Sequence, residues 1–410
     1  MRKSLEKLKK NTQKLLNLNP KQKEEIILQV SKALILNEDK ILRANEEDLA
    51  NFNKNEALKD RLKLDKKRFK ALCESIEKIA FLADPVGQVL DGWVNDAGLK
   101  IEKVSIPLGV VCVIYEARPA ISAELVALLL KSSNGGILKG GSEAKNTNLA
   151  IFECVKAVLE KYDLQQCFLM MSKRSELDEL LKMNDLIDII IPRGSSAMIE
   201  EIASKSKIPL IKHDKGLCHI FVDESACLKE AADIIINAKC QRPSVCNALE
   251  SLIVHKNIAK ELFSLLVDEL QRHKVEIYGC DKSLALLNGS KIQTQKATNE
   301  TYATEWLDFK LSIKIVANLN EAIEHINEFS SSHSDAILSN NAQNIAIFQR
   351  QINSACVYVN ASTRFSDGGE FGFGAEVGIS TNKLHARGPM GVKELCTYKY
   401  LVSGAGQVRL

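Results

Sequence analysis

The chain has 410 residues, too many for one ordinary core, so two or three domains are expected. Its 55 basic and 52 acidic side chains leave a formal charge of only +3, which gives no electrostatic reason to expect nucleic acid or another polyanion as a partner. Eleven irregularly spaced cysteines, with no CxxC pair and no His-rich ligand spacing, argue against a metal site, and the odd count without a secretory signal points to reduced thiols in the cytoplasm.

Arg2, Lys3, Lys7, Lys9 and Lys10 open the chain but no apolar stretch follows them, so the segment reads as an exposed amphipathic helix rather than a targeting signal. No window approaches the roughly 18 apolar residues of a membrane span, and no membrane partner is expected. From Ser4 to about Leu82 apolar residues recur at helical spacing (Leu5, Leu8, Leu15, Leu16; Ile26, Ile27, Val30, Leu34, Ile35), which predicts a helical front end. The pattern breaks at Asp84-Pro85. From Val94 to Ile106, Gly98 sits as a turn between two short segments, predicting a protruding hairpin of the kind used in association.

Gly109 to Tyr115 is a continuous apolar run ending in Glu116-Ala117-Arg118-Pro119, followed by a helical stretch from Ser122 to Ser132. The strand Gly136-Ile137-Leu138 then feeds a turn, Lys139-Gly140-Gly141-Ser142-Glu143, and a helix through Leu159. The same order recurs with Leu186 to Ile191, the turn Pro192-Arg193-Gly194-Ser195-Ser196, and a helix from Ala197 to Lys205. Two such units predict an α/β fold with a parallel, doubly wound sheet, whose turns expose backbone N–H groups to an anion or nucleotide. Neither turn matches GxGxxG, and a lone Lys or Arg is more often a solvated surface charge, so Lys139 and Arg193 read first as surface charges, with a phosphate partner as the alternative.

Between Ile208 and Asp223 the chain concentrates His213, Asp214, Lys215, Gly216 and His219. Lys215 would oppose a cation and no thiol or acidic set completes a site, so a metal is not expected. His219 lies between apolar residues, either as a satisfied structural group or as a donor to an acidic substrate. The segment Gln241-Arg242-Pro243-Ser244-Val245-Cys246-Asn247-Ala248-Leu249-Glu250 marks Cys246 as a candidate nucleophile, because small and polar neighbours leave room at the sulfur. Leu249, Leu252, Ile253, Leu262, Leu265 and Leu266 suggest a helix beginning near Asn247, whose N-terminus would lower the thiol pKa and aim N–H groups at an oxyanion. A packed, inert cysteine is the alternative. Val357 to Gly374, rich in glycine, reads as a loop lining a site, with Arg364 suited to a carboxylate or to a surface ion pair.

Seven ordered stretches carry a resemblance: 113–119 (VIYEARP), 138–144 (LKGGSEA), 190–196 (IIPRGSS), 208–223 (IPLIKHDKGLCHIFVD), 244–250 (SVCNALE), 304–316 (TEWLDFKLSIKIV) and 359–391. Together they resemble the gamma-glutamyl phosphate reductase branch of the aldehyde dehydrogenase superfamily, nearly end to end. The resemblance implies a Rossmann-like cofactor domain over 1–227 with 363–387 returning to it, a catalytic α/β domain over 228–362, and an oligomerisation element of 92–107 with 388–410. It implies reduction of L-glutamyl 5-phosphate by NADPH to L-glutamate 5-semialdehyde, the second step from glutamate to proline. Cys246 would be the nucleophile of a thioacyl intermediate, with the Cys246 backbone N–H and Asn247 as its catalytic neighbours.

By the same resemblance, Lys139 and Gly140 would meet the adenosine ribose or its 2′-phosphate. Ser142 stands where NAD-preferring relatives carry a repelling glutamate. Arg193, Gly194, Ser195 and Ser196 would form the pyrophosphate turn, and Glu305 would hold the nicotinamide ribose. Asn360, Ser362, Thr363 and Arg364 would anchor the amino-acid end of the substrate, with Arg364 on its carboxylate and His213 and His219 as secondary contacts. A homodimer or homotetramer is implied, and a transient contact with glutamate 5-kinase is chemically reasonable because the acyl phosphate is labile.

Two departures stand out. Hydrolytic aldehyde dehydrogenases carry a general-base glutamate before a Gly-Gly pair, whereas this chain reads His213-Asp214-Lys215-Gly216, which suits a thioester exchanged with phosphate rather than water. Ser133-Asn134-Gly135-Gly136 holds an extra glycine, expected to loosen the turn before Lys139. The competing readings are a hydrolytic aldehyde dehydrogenase, recognised by activity without phosphate, and a noncatalytic thiol protein, recognised by indifference to replacement of the cysteine.

Overall fold

The computed structural model describes residues 1–52, 56–116, 119, 121–212 and 215–409, with backbone alone at 56–58 and 174. The chain forms two compact units, one of Met1–Lys212, Gly372–Gly378 and Leu384–Leu410, the other of His213–Phe371 and Ile379–Lys383.

The first unit begins with the expected helices, among them Arg2–Thr12, Pro20–Leu36, Glu38–Ala50 and Lys66–Ala80. Pro20 opens its helix behind Asn19, which accepts the Gln22 N–H at 3.0 Å while the Gln22 side chain takes the Asn19 N–H at 2.9 Å. Ile26, Ile27, Val30 and Leu34 form the buried stripe that the periodicity predicts. Strands Val89–Val94 and Lys100–Pro107 make the hairpin, starting five residues before Val94, and Cys396–Ser403 pairs antiparallel along Lys100–Pro107 to complete a three-stranded sheet. Gly98 has φ +76, the left-handed conformation that the turn requires.

Four parallel strands form the sheet behind this front end, in the spatial order Phe168–Met171, Gly135–Gly140, Val110–Tyr115, Ile189–Arg193. The order reverses beside Val110–Tyr115, and the crevice at the carboxyl ends of such a reversal is where open α/β sheets take ligands. The expectation that Gly135 and Gly136 loosen the approach to this sheet is overturned. Both lie in the strand, where a Cβ on Gly136 would come within 2.8 Å of Leu129 and Phe168 and one on Gly135 within 2.2 Å of the Thr12 hydroxyl oxygen. The missing side chains permit close packing, and Asn134 locks the entry by accepting the Gly109 N–H at 2.8 Å and donating to the Leu395 carbonyl at 2.8 Å.

The second unit carries seven strands in the order Thr294–Lys296, Glu276–Gly279, Lys310–Val316, Leu249–His255, Cys218–Val222, Ser334–Leu338, Cys356–Val359, each pair parallel. Helices such as Leu228–Cys240, Ala259–Arg272 and Leu319–Phe329 connect them. Successive residues face opposite cores: Ile220 and Leu252 pack with Leu262 and Leu266, while Phe221 and Ile253 pack with Ile326 and Phe348.

Two expectations change here. The edge between the units falls at Lys212 rather than at 227, because Cys218–Val222 is hydrogen-bonded between Leu249–His255 and Ser334–Leu338, and the return to the first unit begins at Gly372 rather than at 363. No helix starts at Asn247: Leu249–His255 is a strand buried at every residue, and the helix holding Leu262, Leu265 and Leu266 begins at Ala259. A parallel strand covered on both faces shows no polar-apolar alternation, so the apolar Leu249, Leu252 and Ile253 also satisfy helical spacing.

Candidate active site

Cys246 is half-buried in the turn between the helix Leu228–Cys240 and the strand Leu249–His255, closed by the Ala248 N–H on the Val245 carbonyl at 3.1 Å. With no helix following it, the geometry around the thiol comes from three neighbouring segments of the second unit.

Gly216 supplies the first. A Cβ there would stand 2.1 Å from the Cys246 carbonyl oxygen and 2.4 Å from its Cα, so the two backbones approach as only glycine allows. The Gly216 N–H donates to Glu305 Oε1 at 2.8 Å, which brings the expected cofactor carboxylate and the nucleophile turn onto one residue. The second neighbour is Cys218, whose thiol donates to the Cys246 carbonyl at 3.3 Å. Burial, with the Asp335 charge adding to it, pushes the Cys218 thiol well above its ordinary value, so it stays a protonated donor and not a rival nucleophile.

The third is the loop after Cys356–Val359. Asn247, 3 % exposed, donates its amide to the carbonyls of Arg364 at 3.2 Å and Ser366 at 2.9 Å and accepts from the Arg364 guanidinium, while Thr363 Oγ1 donates to the Asn247 carbonyl at 2.8 Å. Asn360 is spent on the backbone of Ser339, accepting its N–H at 2.8 Å and donating to its carbonyl at 2.9 Å, and Ser362 Oγ accepts the Arg364 N–H at 3.3 Å. Asn360, Ser362 and Thr363 therefore build the loop, and of these four expected anchors Arg364 is the one that carries charge. Among the described residues no acidic side chain forms an ion pair with Arg364. Burial draws its guanidinium below the ordinary value, while Asp367 and the Cys246 thiol draw it up, which puts the cation within electrostatic reach of the nucleophile.

His219 lies in the interior, with one ring nitrogen bonded and Nε2 buried without a hydrogen-bond partner. Its side chain is fully buried, its Nδ1 lies 3.0 Å from Asp335 Oδ1, and its ring meets His325 edge-on at 6.0 Å. The neighbouring Cys218 faces the nucleophile turn, and strand alternation sends His219 to the opposite face. His213 lies outside the described residues.

In the first unit, Lys139 is the penultimate residue of the strand Gly135–Gly140, is 8 % exposed, and donates its ammonium to the Gly140 carbonyl at 2.8 Å. Gly140 has no room for a side chain, since a Cβ would come within 2.5 Å of the Asn148 amide nitrogen. Ser142 is exposed at the start of the short turn of helix Ser142–Ala144. The second turn is filled differently. Arg193 pairs with Glu376 at 3.6 Å, and the Glu116 carboxylate takes the Ser195 N–H at 2.8 Å and the Ser195 hydroxyl at 3.3 Å, leaving Gly194 packed against it and Ser196 opening the helix Ser196–Lys205. The turn expected to hold the pyrophosphate is thus occupied by the Glu116 carboxylate in this conformation.

Sequence reasoning missed Cys218, Gln241 and Glu116, and read Gly216 only as a break in a motif. Cys218 looks like any apolar strand position and Gln241 like a surface amide, so their roles rest on neighbours distant in sequence.

Two parallel α/β units in one chain, the second carrying a half-buried cysteine on a strand-entry turn, are the parts of an aldehyde dehydrogenase-like architecture. Residues 6–285 match the aldehyde dehydrogenase family. The chain is 61% identical over 409 residues to the gamma-glutamyl phosphate reductase of Campylobacter jejuni subsp. jejuni serotype O:2, covering 100% of both chains, and 48% identical to that of Nitratiruptor sp., covering 99% of both. The crystal structure of gamma-glutamyl phosphate reductase from Thermotoga maritima superposes with a TM-score of 0.94 at 41% identity, over 100% of this chain and 99% of that one. The chain belongs to the aldehyde dehydrogenase family, in its gamma-glutamyl phosphate reductase branch.

Proposed function

We propose that the chain reduces L-glutamyl 5-phosphate to L-glutamate 5-semialdehyde with release of phosphate, the second step from glutamate to proline, as its relatives are named for. The observation that carries the reading is the pairing of a half-buried thiol, Cys246, with a cation, Arg364, that amide oxygens hold and that forms no ion pair among the described residues. The Cys246 thiolate attacks the acyl carbon, the carbon–oxygen bond to phosphate breaks, and a thioester remains on the sulfur. The Cys246 backbone N–H faces the charge that develops on the acyl oxygen, and Gly216 keeps that backbone close to its neighbours without a side chain in the way. A bound nicotinamide cofactor, which members of the family use, supplies hydride to the thioester carbon. Release of the aldehyde then returns the thiolate. The lack of a glutamate base at 213–216 spares the thioester from water.

NADPH is the preferred cofactor in this reading, with Lys139 on the 2′-phosphate, Ser142 tolerating it, and Glu305 on the nicotinamide ribose. Lys139→Ala should raise the KM for NADPH roughly tenfold or more and narrow the preference over NADH, because one charge-assisted contact contributes about 1.5–3 kcal/mol. An unchanged KM for NADPH would remove Lys139 from the cofactor.

Arg364 anchors the substrate carboxylate. Arg364→Ala should raise the KM for glutamate 5-semialdehyde by about ten- to a hundredfold in the phosphate-dependent oxidation. An equal rise for an aldehyde without a carboxylate would mean that the loop had collapsed.

The sheet of Val89–Val94, Lys100–Pro107 and Cys396–Ser403 exposes Leu90, Trp93, Val94, Tyr400 and Val402, with Trp93 and Tyr400 packed edge-to-face at 6.0 Å. It is the association element of a dimer or tetramer in this reading. Among the described residues no helix is long and apolar enough to cross a membrane, in keeping with a biosynthetic enzyme of the cytoplasm. A transient contact with the kinase that makes the labile acyl phosphate would shorten its exposure to water.

A further inference from the structure

Arg364 is held by two neutral oxygens. Its Nε donates to Gln241 Oε1 at 3.0 Å, just past the end of the helix Leu228–Cys240, and a terminal nitrogen donates to Asn247 Oδ1. Neither acceptor carries charge, so the guanidinium is fixed in direction with its positive charge intact. Asn247 is also the residue joined by a peptide bond to Cys246, and its amide and carbonyl take three further bonds from the 363–366 segment, out of reach of water. One residue therefore grips both ends of the substrate path: the nucleophile through its backbone and the anchoring cation through its side chain. The span cannot lengthen without breaking a buried hydrogen bond.

We propose that Asn247, seconded by Gln241, is a positioning residue that sets the distance between Arg364 and the Cys246 thiol, and that this distance selects acyl phosphates by the number of methylenes between carboxylate and acyl carbon, glutamyl over aspartyl. The inference rests on the reading of Arg364 as the carboxylate anchor. A brace that only stabilised the nucleophile turn would affect substrates of both lengths alike.

The test is the phosphate-dependent oxidation of L-glutamate 5-semialdehyde and of L-aspartate 4-semialdehyde, one methylene shorter, in the wild type, Asn247→Ala, Gln241→Ala, Arg364→Ala and the double variant Asn247→Ala/Arg364→Ala. The ratio of kcat/KM values should fall about tenfold in Asn247→Ala, within the range that one methylene commands. It should fall about threefold in Gln241→Ala, chiefly through KM in both cases, and no further in the double variant than in Arg364→Ala alone. Because Gln241 is exposed, its truncation carries the test even if Asn247→Ala does not fold. An unchanged ratio in Asn247→Ala and Gln241→Ala, alongside a lost ratio in Arg364→Ala, would overturn the spacing role and leave the anchor standing. An unchanged ratio and KM in Arg364→Ala would overturn the anchor and the spacing role together, and additive losses in the double variant would overturn the coupling.

Discussion

Cys246→Ala should lower phosphate-dependent reduction of NADP by L-glutamate 5-semialdehyde by roughly three orders of magnitude or more, because no other group can carry the acyl chain between the two half-reactions. Cys218, whose thiol bonds the Cys246 carbonyl, is fully buried and held protonated, so it cannot substitute. The measurement is the initial rate with and without inorganic phosphate, together with the intact mass of the wild type after mixing with semialdehyde and NADP in the absence of phosphate. A thioacyl adduct on the wild type alone, discharged when phosphate is added, establishes both the nucleophile and the acceptor. Turnover without phosphate would favour the hydrolytic reading, and activity surviving the substitution would remove Cys246 from the mechanism.

Lys239→Met should destabilise the second unit by about 3–5 kcal/mol, the usual loss when one partner of a buried ion pair is removed. Lys239 Nζ lies 2.9 Å from Glu250 Oε2 with both side chains fully buried, and the other Glu250 oxygen accepts the Leu307 N–H at 3.1 Å. Leu307 has φ +52, unusual for a branched residue, so Glu250 also holds the loop two residues past Glu305. Burial, only partly opposed by Lys239, raises the Glu250 carboxyl from 4.5 to about 7. A folded-state value above the unfolded one means that the native state keeps a proton which the unfolded chain releases, so this group's contribution is fully present below pH 4.5 and is lost as pH rises through about 7. Without Lys239 the carboxyl should hold its proton to still higher pH, and the variant should lose more stability at pH 8 than at pH 5. Denaturant melts at the two values check this. The double variant Lys239→Met/Glu250→Gln, which keeps an acceptor for Leu307, should recover most of the loss. A pH-independent deficit, or no recovery, would place the effect in packing instead.

The local rules of the chain were legible in it. Helical periodicity placed the front end, Gly98 marked the hairpin, and the two strand–turn–helix units with their turns at Lys139–Glu143 and Pro192–Ser196 predicted a parallel sheet that the structure contains. These features depend on contacts a few residues apart, where propensity, capping and turn chemistry act. The misreadings came where burial on both faces erased the local signal: Leu249–His255 has no exposed face and no polar-apolar alternation to mark it as a strand, and the glycines at 135 and 136 reveal their purpose only against Leu129, Phe168 and Thr12.

By itself the sequence determined the elements, the reactive character expected of the Cys246 segment and the family's chemistry. Only the tertiary structure decided which candidates meet. It set Gly216 against the Cys246 backbone and Glu305 on Gly216, turned His219 into the interior, closed the Ser195 turn with Glu116, and joined Arg364 to Asn247 across 117 residues of chain. Hydrogen bonds and close approaches between segments so distant in sequence have no period or local spacing to announce them, because they form only after strand order and register have brought the segments together.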